Sequence, residues 1–327
     1  MSVPSIAAVD LGAFFSASAE QQQEIAAEVD SICRHTGFLI VENHGVPQEV
    51  TDAAWNSIRD FFDLPMAEKM KVRSTEEGCP RGYFPFATEA LAQSLGNETP
   101  PDIKESFGAG TLTAPDREVP EDRLWFHYGP NLWPERPPGL RDALSAYMRE
   151  AQALGDRVLQ LFAAALSLPH DYFEASHVDA MVALRCLNYP ATDTPPLPKQ
   201  RAAGEHSDYG SITILKSDPN VPGLEIRLPS GEWIAAPLVA DGFIVNIGDM
   251  MARWTNDRWV STLHRVSSPD QAGGGQSRRQ SIAFFYNTSF DAEISCIPTC
   301  KDADTEAKYE PVMGGDYLHQ RFTSQIA

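Results

Sequence analysis

The chain has 327 residues, 43% of them hydrophobic and 22% charged, with a formal charge of −19; this is enough for a full core in one large domain or two intimate parts. The acidic balance, without clustered Lys and Arg, argues against a nucleic-acid surface. No run reaches the ~18 apolar residues of a membrane span, and no basic segment leading into an apolar run opens the chain, so neither a span nor a signal peptide is expected.

Residues 3–9 read as a short extended segment, with Asp10 placed to begin a turn or cap a helix. Ile25, Val29, Ile32 and Cys33 recur at helical spacing, which predicts a helix from about Ser18 to Thr36, ended by Gly37 before a buried strand Phe38-Leu39-Ile40-Val41. His44, between Asn43 and Gly45, reads as a turn residue. Val50, Ala54, Ile58 and Phe61 predict a helix over 47–62, with Pro65 at its exit. Gly78 to Tyr83 is punctuated too densely for a regular element. The stretch 113–138, where Trp125, His127, Tyr128 and Trp133 interleave with prolines, reads as a long surface crossover with His127 as a loop histidine.

Leu140, Leu144, Tyr147, Ala151, Leu154, Val158, Leu161 and Phe162 mark one long amphipathic helix over 138–168, and Pro169 to Phe173 begins a further short one. Short apolar runs at 181–189, 211–215, 224–228, 232–235, 242–247, 262–266 and 280–286, separated by turn residues, predict an antiparallel sandwich or barrel. A final helix is expected around 314–322, with His319 on its surface. Cys33, Cys79, Cys186, Cys296 and Cys300 are odd in number and lack zinc-ribbon spacing, which points to reduced thiols and a cytoplasmic setting.

The chemistry gathers between Tyr189 and Asn287. His206 and Asp208 are two apart, so in a strand their side chains share one face. A lone His-x-Asp is more often a surface pair, and His264 alone more often a core histidine. His264 comes after enough chain to fold back beside them, however, and two His with one Asp form a facial triad. Such a set leaves about three positions of an octahedral ferrous ion open, whereas structural zinc would close its shell. Arg279, Ser281, Ala283 and Phe285 form one face of a later strand. A guanidinium on that otherwise apolar face needs an anion, and a carboxylate gripped with help from a hydroxyl satisfies it. Arg278 is expected to reach solvent.

These motifs in this order, Asn188-Tyr189-Pro190, His206-x-Asp208, His264-Arg265-Val266 and Arg279-x-Ser281, resemble those of the isopenicillin N synthase-like, iron- and 2-oxoglutarate-dependent oxygenases. So do Val3 to Ile6, Gly37 to Val46, Phe61 to Pro65, Lys69, Arg81-Gly82-Tyr83 and Asp102 to Phe107, which extends the likeness over nearly the whole chain. The resemblance implies an α+β fold: a double-stranded β-helix (jelly-roll) core flanked by helices, with a mixed helical and strand region before it. The corresponding division is 1–115 for the N-terminal region, 116–178 for the crossover and scaffold helix, 179–290 for the core and 291–327 for a tail whose helix covers the site.

It also implies Fe(II) held by His206, Asp208 and His264. A 2-oxoglutarate molecule would reach Arg279, Ser281 and Tyr189 with its distal carboxylate, and O2 would be consumed to give succinate and carbon dioxide. The oxidised substrate is a small molecule, with hydroxylation the default and desaturation or ring closure the variants. Tyr83 is expected near the mouth of the site, and Phe285, Ile212 and Leu215 along an apolar wall. Two departures stand. Arg-x-Ser also grips a substrate carboxylate in relatives that do not use 2-oxoglutarate, and Leu187 occupies a position where many relatives carry Asn. A same-fold oxidase without 2-oxoglutarate, a zinc-dependent hydrolase and a non-catalytic binding protein remain the alternatives; oligomeric state is not readable from these patterns.

Overall fold

The computed structural model describes every residue except 1–5, 77, 97–98, 117, 192–196, 268–276, 302–305 and 324–327, so Val3 to Ser5 lie outside the described residues. Strand β1 (Ala7–Asp10) runs into α1 (Leu11–Ser16), whose first turn is capped by Asp10 accepting the Ala13 amide at 2.7 Å. Ser18 and Gln21 cap α2 (Ala19–His35) reciprocally. Gly37 then turns the chain at φ +62°, where a Cβ would stand 2.1 Å from the Val260 carbonyl oxygen, so only glycine fits. Next come β2 (Phe38–Glu42), α3 (Gln48–Phe62), α4 (Met66–Lys69), β3 (Gly82–Phe84) and β4 (Glu105–Gly110).

The crossover departs from expectation, because residues of its middle form α5 (Glu121–Tyr128). The prolines that argued against a helix stand outside it, Pro120 at its N-cap and Pro130 just past its C-cap Gly129. The long helix is α6 (Leu140–Ala165), but Pro169 to Phe173 gives only turns, succeeded by one 3-10 turn at Glu174–Ser176. The chain continues through β5 (Ala180–Tyr189), β6 (Ala203–His206), β7 (Ile212–Ser217), β8 (Leu224–Arg227), β9 (Trp233–Ala235), β10 (Phe243–Ile247), α7 (Asp249–Trp254), β11 (His264–Val266) and β12 (Arg279–Ser289). A short ribbon of β13 (Glu293–Ile294) and β14 (Val312–Met313) leads into α8 (Gly314–Thr323).

Two sheets carry the fold. The larger has the order β1-β2-β10-β7-β12-β5-β4-β3, the smaller β6-β11-β8-β9. All their pairings are antiparallel except β1 with β2. The N-terminal strands β1 to β4 complete both edges of the larger sheet, which makes the N-terminal region part of the core sheet.

Period-two alternation assigns each face of that sheet. Leu39, Val41, Ile212, Ile214, Ile282 and Phe284 pack in the cluster that includes the buried sides of α2, α3 and α6. Phe38, Ile40 and Ile244 face the other way and join Leu224, Ile226 and Ile234 of the smaller sheet. Scaffold helices thus back one face, the jelly-roll interior lies on the other, and α6 lies close enough that the Tyr286 ring occupies the place of a Cβ on Gly155.

Candidate active site

Strands β6 and β11 pair with His206 opposite His264, which sets the two rings 4.3 Å apart. Asp208 lies just beyond β6, in the turn before β7, so the chain brings it to the pair by bending rather than by strand alternation. Asp208 Oδ1 is 3.9 Å from His206 Nε2 and 3.7 Å from His264 Nε2, and one ligand atom from each residue lies within 4.8 Å of the others. These gaps exceed hydrogen-bond lengths: the three groups converge without bonding one another.

The surroundings fix which atoms face the gap. His206 Nδ1 is 2.8 Å from the Gly204 carbonyl oxygen and His264 Nδ1 is 3.1 Å from that of Thr262. Each Nδ1 therefore carries the proton, leaving both Nε2 lone pairs for a cation. Asp208 Oδ2 accepts from Thr213 Oγ1 at 2.5 Å and Asn246 Nδ2 at 2.8 Å, which frees Oδ1. Burial, reinforced by the nearby His264, pushes the His206 imidazole down to about 3, so it is neutral at physiological pH. Burial alone would raise Asp208, but His264, His206, Asn246 and Thr213 outweigh it and hold the carboxyl below its ordinary range. Two imidazoles that turn Nε2 inward and one carboxylate, on one side of a gap, suit a divalent ion with positions left open.

The gap opens into a cavity of about 250 Å³ between the two sheets. Arg279, Ser281, Ala283 and Phe285 all line it, as the period-two reading of β12 required, and Asn287 continues the row. Arg279 is 2% exposed; its Nε and Nη1 have no hydrogen-bond partner, and its guanidinium lies 5.1 Å from the centre of the Tyr189 ring. A buried cation without an acid among the described residues is a strong sign that an anion completes it. Leu215 and Leu187 line the same cavity.

One residue expected at the mouth and one expected on the wall are elsewhere. Tyr83 is 1% exposed, donates its hydroxyl to Glu105 Oε2 at 2.5 Å and packs against Phe61, so it belongs to the core between β3, β4 and α3. Ile212 is three residues from Leu215, hence on the opposite face of β7 among the helices. Asn188 also points away, donating to Glu105 and accepting from Arg278.

Other residues were missed. Thr213 shares the cavity face of β7 with Leu215, and Asn246 is the one polar residue of the apolar strand Phe243–Ile247; that interruption was its signal. His127 sits on α5 with its Nε2 3.1 Å from the Gly315 carbonyl oxygen, and lines the cavity. His319 is half-buried against Phe126 rather than on the open surface, and Leu318 and Phe322 of α8 reach the cavity.

Residues 6–136 match the family described as non-haem dioxygenase in morphine synthesis N-terminal, and residues 179–288 match the 2OG-Fe(II) oxygenase superfamily. A homoarginine-6-hydroxylase of Oryza sativa subsp. japonica is 32% identical over 92% of this chain and 89% of its own length. A 2-oxoglutarate-dependent dioxygenase of Aspergillus niger is 34% identical over the same shares. A full-length Neurospora crassa protein solved with alpha-KG superposes with a TM-score of 0.85 at 31% identity, covering 97% of this chain and 95% of that one; it was also solved with thymine. The chain belongs to the 2OG-Fe(II) oxygenase superfamily. It is a dioxygenase that uses Fe(II), 2-oxoglutarate and O2, which decides against the hydrolase and the binding protein, and its jelly-roll fold is that of these relatives.

Proposed function

We propose that His206, Asp208 and His264 hold the ferrous ion and that Arg279, Ser281 and Tyr189 receive the distal carboxylate of 2-oxoglutarate, for the oxidation of a small organic molecule. The observation that carries this reading is the buried guanidinium of Arg279, without an acid among the described residues, in the same cavity as three convergent ligands. Iron bound there supplies dioxygen activation coupled to decarboxylation of the 2-oxo acid to succinate. The residues do the rest. Thr213 and Asn246 keep Asp208 ionised and aimed, Gly204 and Thr262 fix the imidazole tautomers, and Phe285 and Leu215 form the apolar wall that limits water.

The same reading divides the chain: 1–115 buttresses the sheet, 116–178 supplies the scaffold helix, 179–290 carries the chemistry and 291–327 covers it. We also read the setting as cytoplasmic, on the five free cysteines; no described helix is long and apolar enough to cross a membrane. Anaerobic addition of Fe(II) and 2-oxoglutarate should produce a weak visible charge-transfer band, absent in Asp208→Ala. Arg279→Ala should weaken 2-oxoglutarate binding far more than iron binding; equal co-substrate affinity would overturn the carboxylate assignment.

A further inference from the structure

We propose that the organic substrate is a carboxylate monoanion and that Arg185 is the cation that receives it. This rests on the roles given above to the triad and Arg279. The chain carries a formal charge of −19, yet its cavity is lined by four basic side chains, Arg81, Lys104, Arg185 and Arg279, against two acids, Glu89 and Asp208. Directly behind the wall, Asp102 pairs with Lys104 at 3.0 Å, so four cations meet three carboxylates. A ferrous ion would add two positive charges and 2-oxoglutarate would remove two. One positive charge then remains unbalanced in a partly enclosed site, which favours a guest that brings one negative charge.

The partners of each cation single out Arg185. Arg81 leaves its Nε without a partner but donates both terminal nitrogens to the carbonyl oxygens of Trp125 and Phe126 at the negative end of α5, so its charged fork is already engaged. Lys104 is held between Asp102 and Glu89. Arg279 is assigned to the co-substrate. Arg185 places only Nη2 on Glu89, at 2.9 Å, and its Nη1 has no acceptor. Glu89 meanwhile divides its charge among Arg185, Lys104 and the Ser106 hydroxyl.

Position agrees with this. Arg185 stands on β5 directly opposite Ala283, between Ser281 and Phe285 on the cavity face of β12, with Gly108 opposite it on β4. Phe84 supports the guanidinium from 3.9 Å. Asn287 adds a neutral amide to the cavity wall, its Oδ1 accepting the Ser211 amide at 3.2 Å.

The test uses the full chain loaded with Fe(II) and saturating 2-oxoglutarate without oxygen, so that Arg279 is occupied and nothing turns over. Calorimetry would compare benzoate with benzamide, phenylacetate with phenylacetamide, and hexanoate with hexanamide. At least one acid should bind roughly tenfold more tightly than its amide. Arg185→Gln should erase that preference and Glu89→Gln should widen it, opposite shifts that a misfolded variant cannot mimic, while 2-oxoglutarate affinity stays unchanged in both. Amides binding as tightly as acids in every pair, no measurable binding of any of the three acids, or an acid preference that survives Arg185→Gln, would overturn the proposal. Failure of 2-oxoglutarate to bind the unaltered protein is a separate result, which would overturn the reading of Arg279.

Discussion

Glu105 on β4 and Arg279 on β12 are buried charges on either side of the same strand, β5, with opposite circumstances. Glu105 receives Lys69 Nζ at 2.7 Å and the Tyr83 hydroxyl at 2.5 Å on Oε2, and Asn188 Nδ2 at 2.7 Å on Oε1. Arg278 closes that network by donating to Asn188 and pairing with Asp63, so it does not simply reach solvent as its sequence position suggested. Arg279, the next residue, projects to the other face of the sheet and has no acid among the described residues. Burial alone does not distinguish structure from function; what distinguishes them is whether the buried charge is already answered by protein.

The largest test of that contrast is Lys69→Met, which strands the Glu105 carboxylate and should cost about 3–5 kcal/mol of stability in urea unfolding. Arg279→Met removes an unanswered charge, and in the absence of 2-oxoglutarate should leave stability unchanged or raised. Equal losses in the two variants would break the contrast. His177 sharpens it, being a buried group with an unanswered atom, Nε2, but outside the cavity. Burial pushes its imidazole from 6.5 down to about 4, while Nδ1 keeps its proton on the Phe173 carbonyl. As pH falls below about 6.5 the unfolded chain takes up a proton that the folded chain resists until about 4. Stability should therefore decline through that window by on the order of 3 kcal/mol. His177→Leu should flatten the decline, and an unaltered pH profile would remove His177 from the account.

The same contrast explains what was legible in the sequence. Periodicity sufficed where one face of an element is buried, as in α2, α3, α6 and β12. The row Arg279, Ser281, Ala283, Phe285 was legible residue for residue; His206, Asp208 and His264 do converge, but Asp208 arrives by a bend after β6 and not by the alternation of a strand. It failed where neighbours decide. Tyr83 looks like a loop anchor until Glu105 is known to lie beneath its hydroxyl, and α5 is hidden by the prolines around it. Ile212 belongs to the helix side of β7, as its spacing of three from the cavity-lining Leu215 requires by alternation alone.

Thr213 and Asn246 are answered groups that serve an unanswered one, so their loss should separate binding from folding. Thr213→Val or Asn246→Leu each removes one hydrogen bond to Asp208 Oδ2 and should weaken iron binding about 10–100-fold, read by metal titration. The smallest effect belongs to Ser281→Ala. The Ser281 hydroxyl lines the cavity and makes no hydrogen bond to a described residue, so its removal leaves no protein group unsatisfied and the unfolding midpoint should not move. If it completes the carboxylate site beside Arg279, 2-oxoglutarate affinity should fall by about 1 kcal/mol, roughly fivefold. Binding that weakens at constant stability would place Ser281 with Arg279 among the groups that wait for a ligand. Stability that falls at constant binding would place it with Tyr83 and Glu105, among those the protein has already answered.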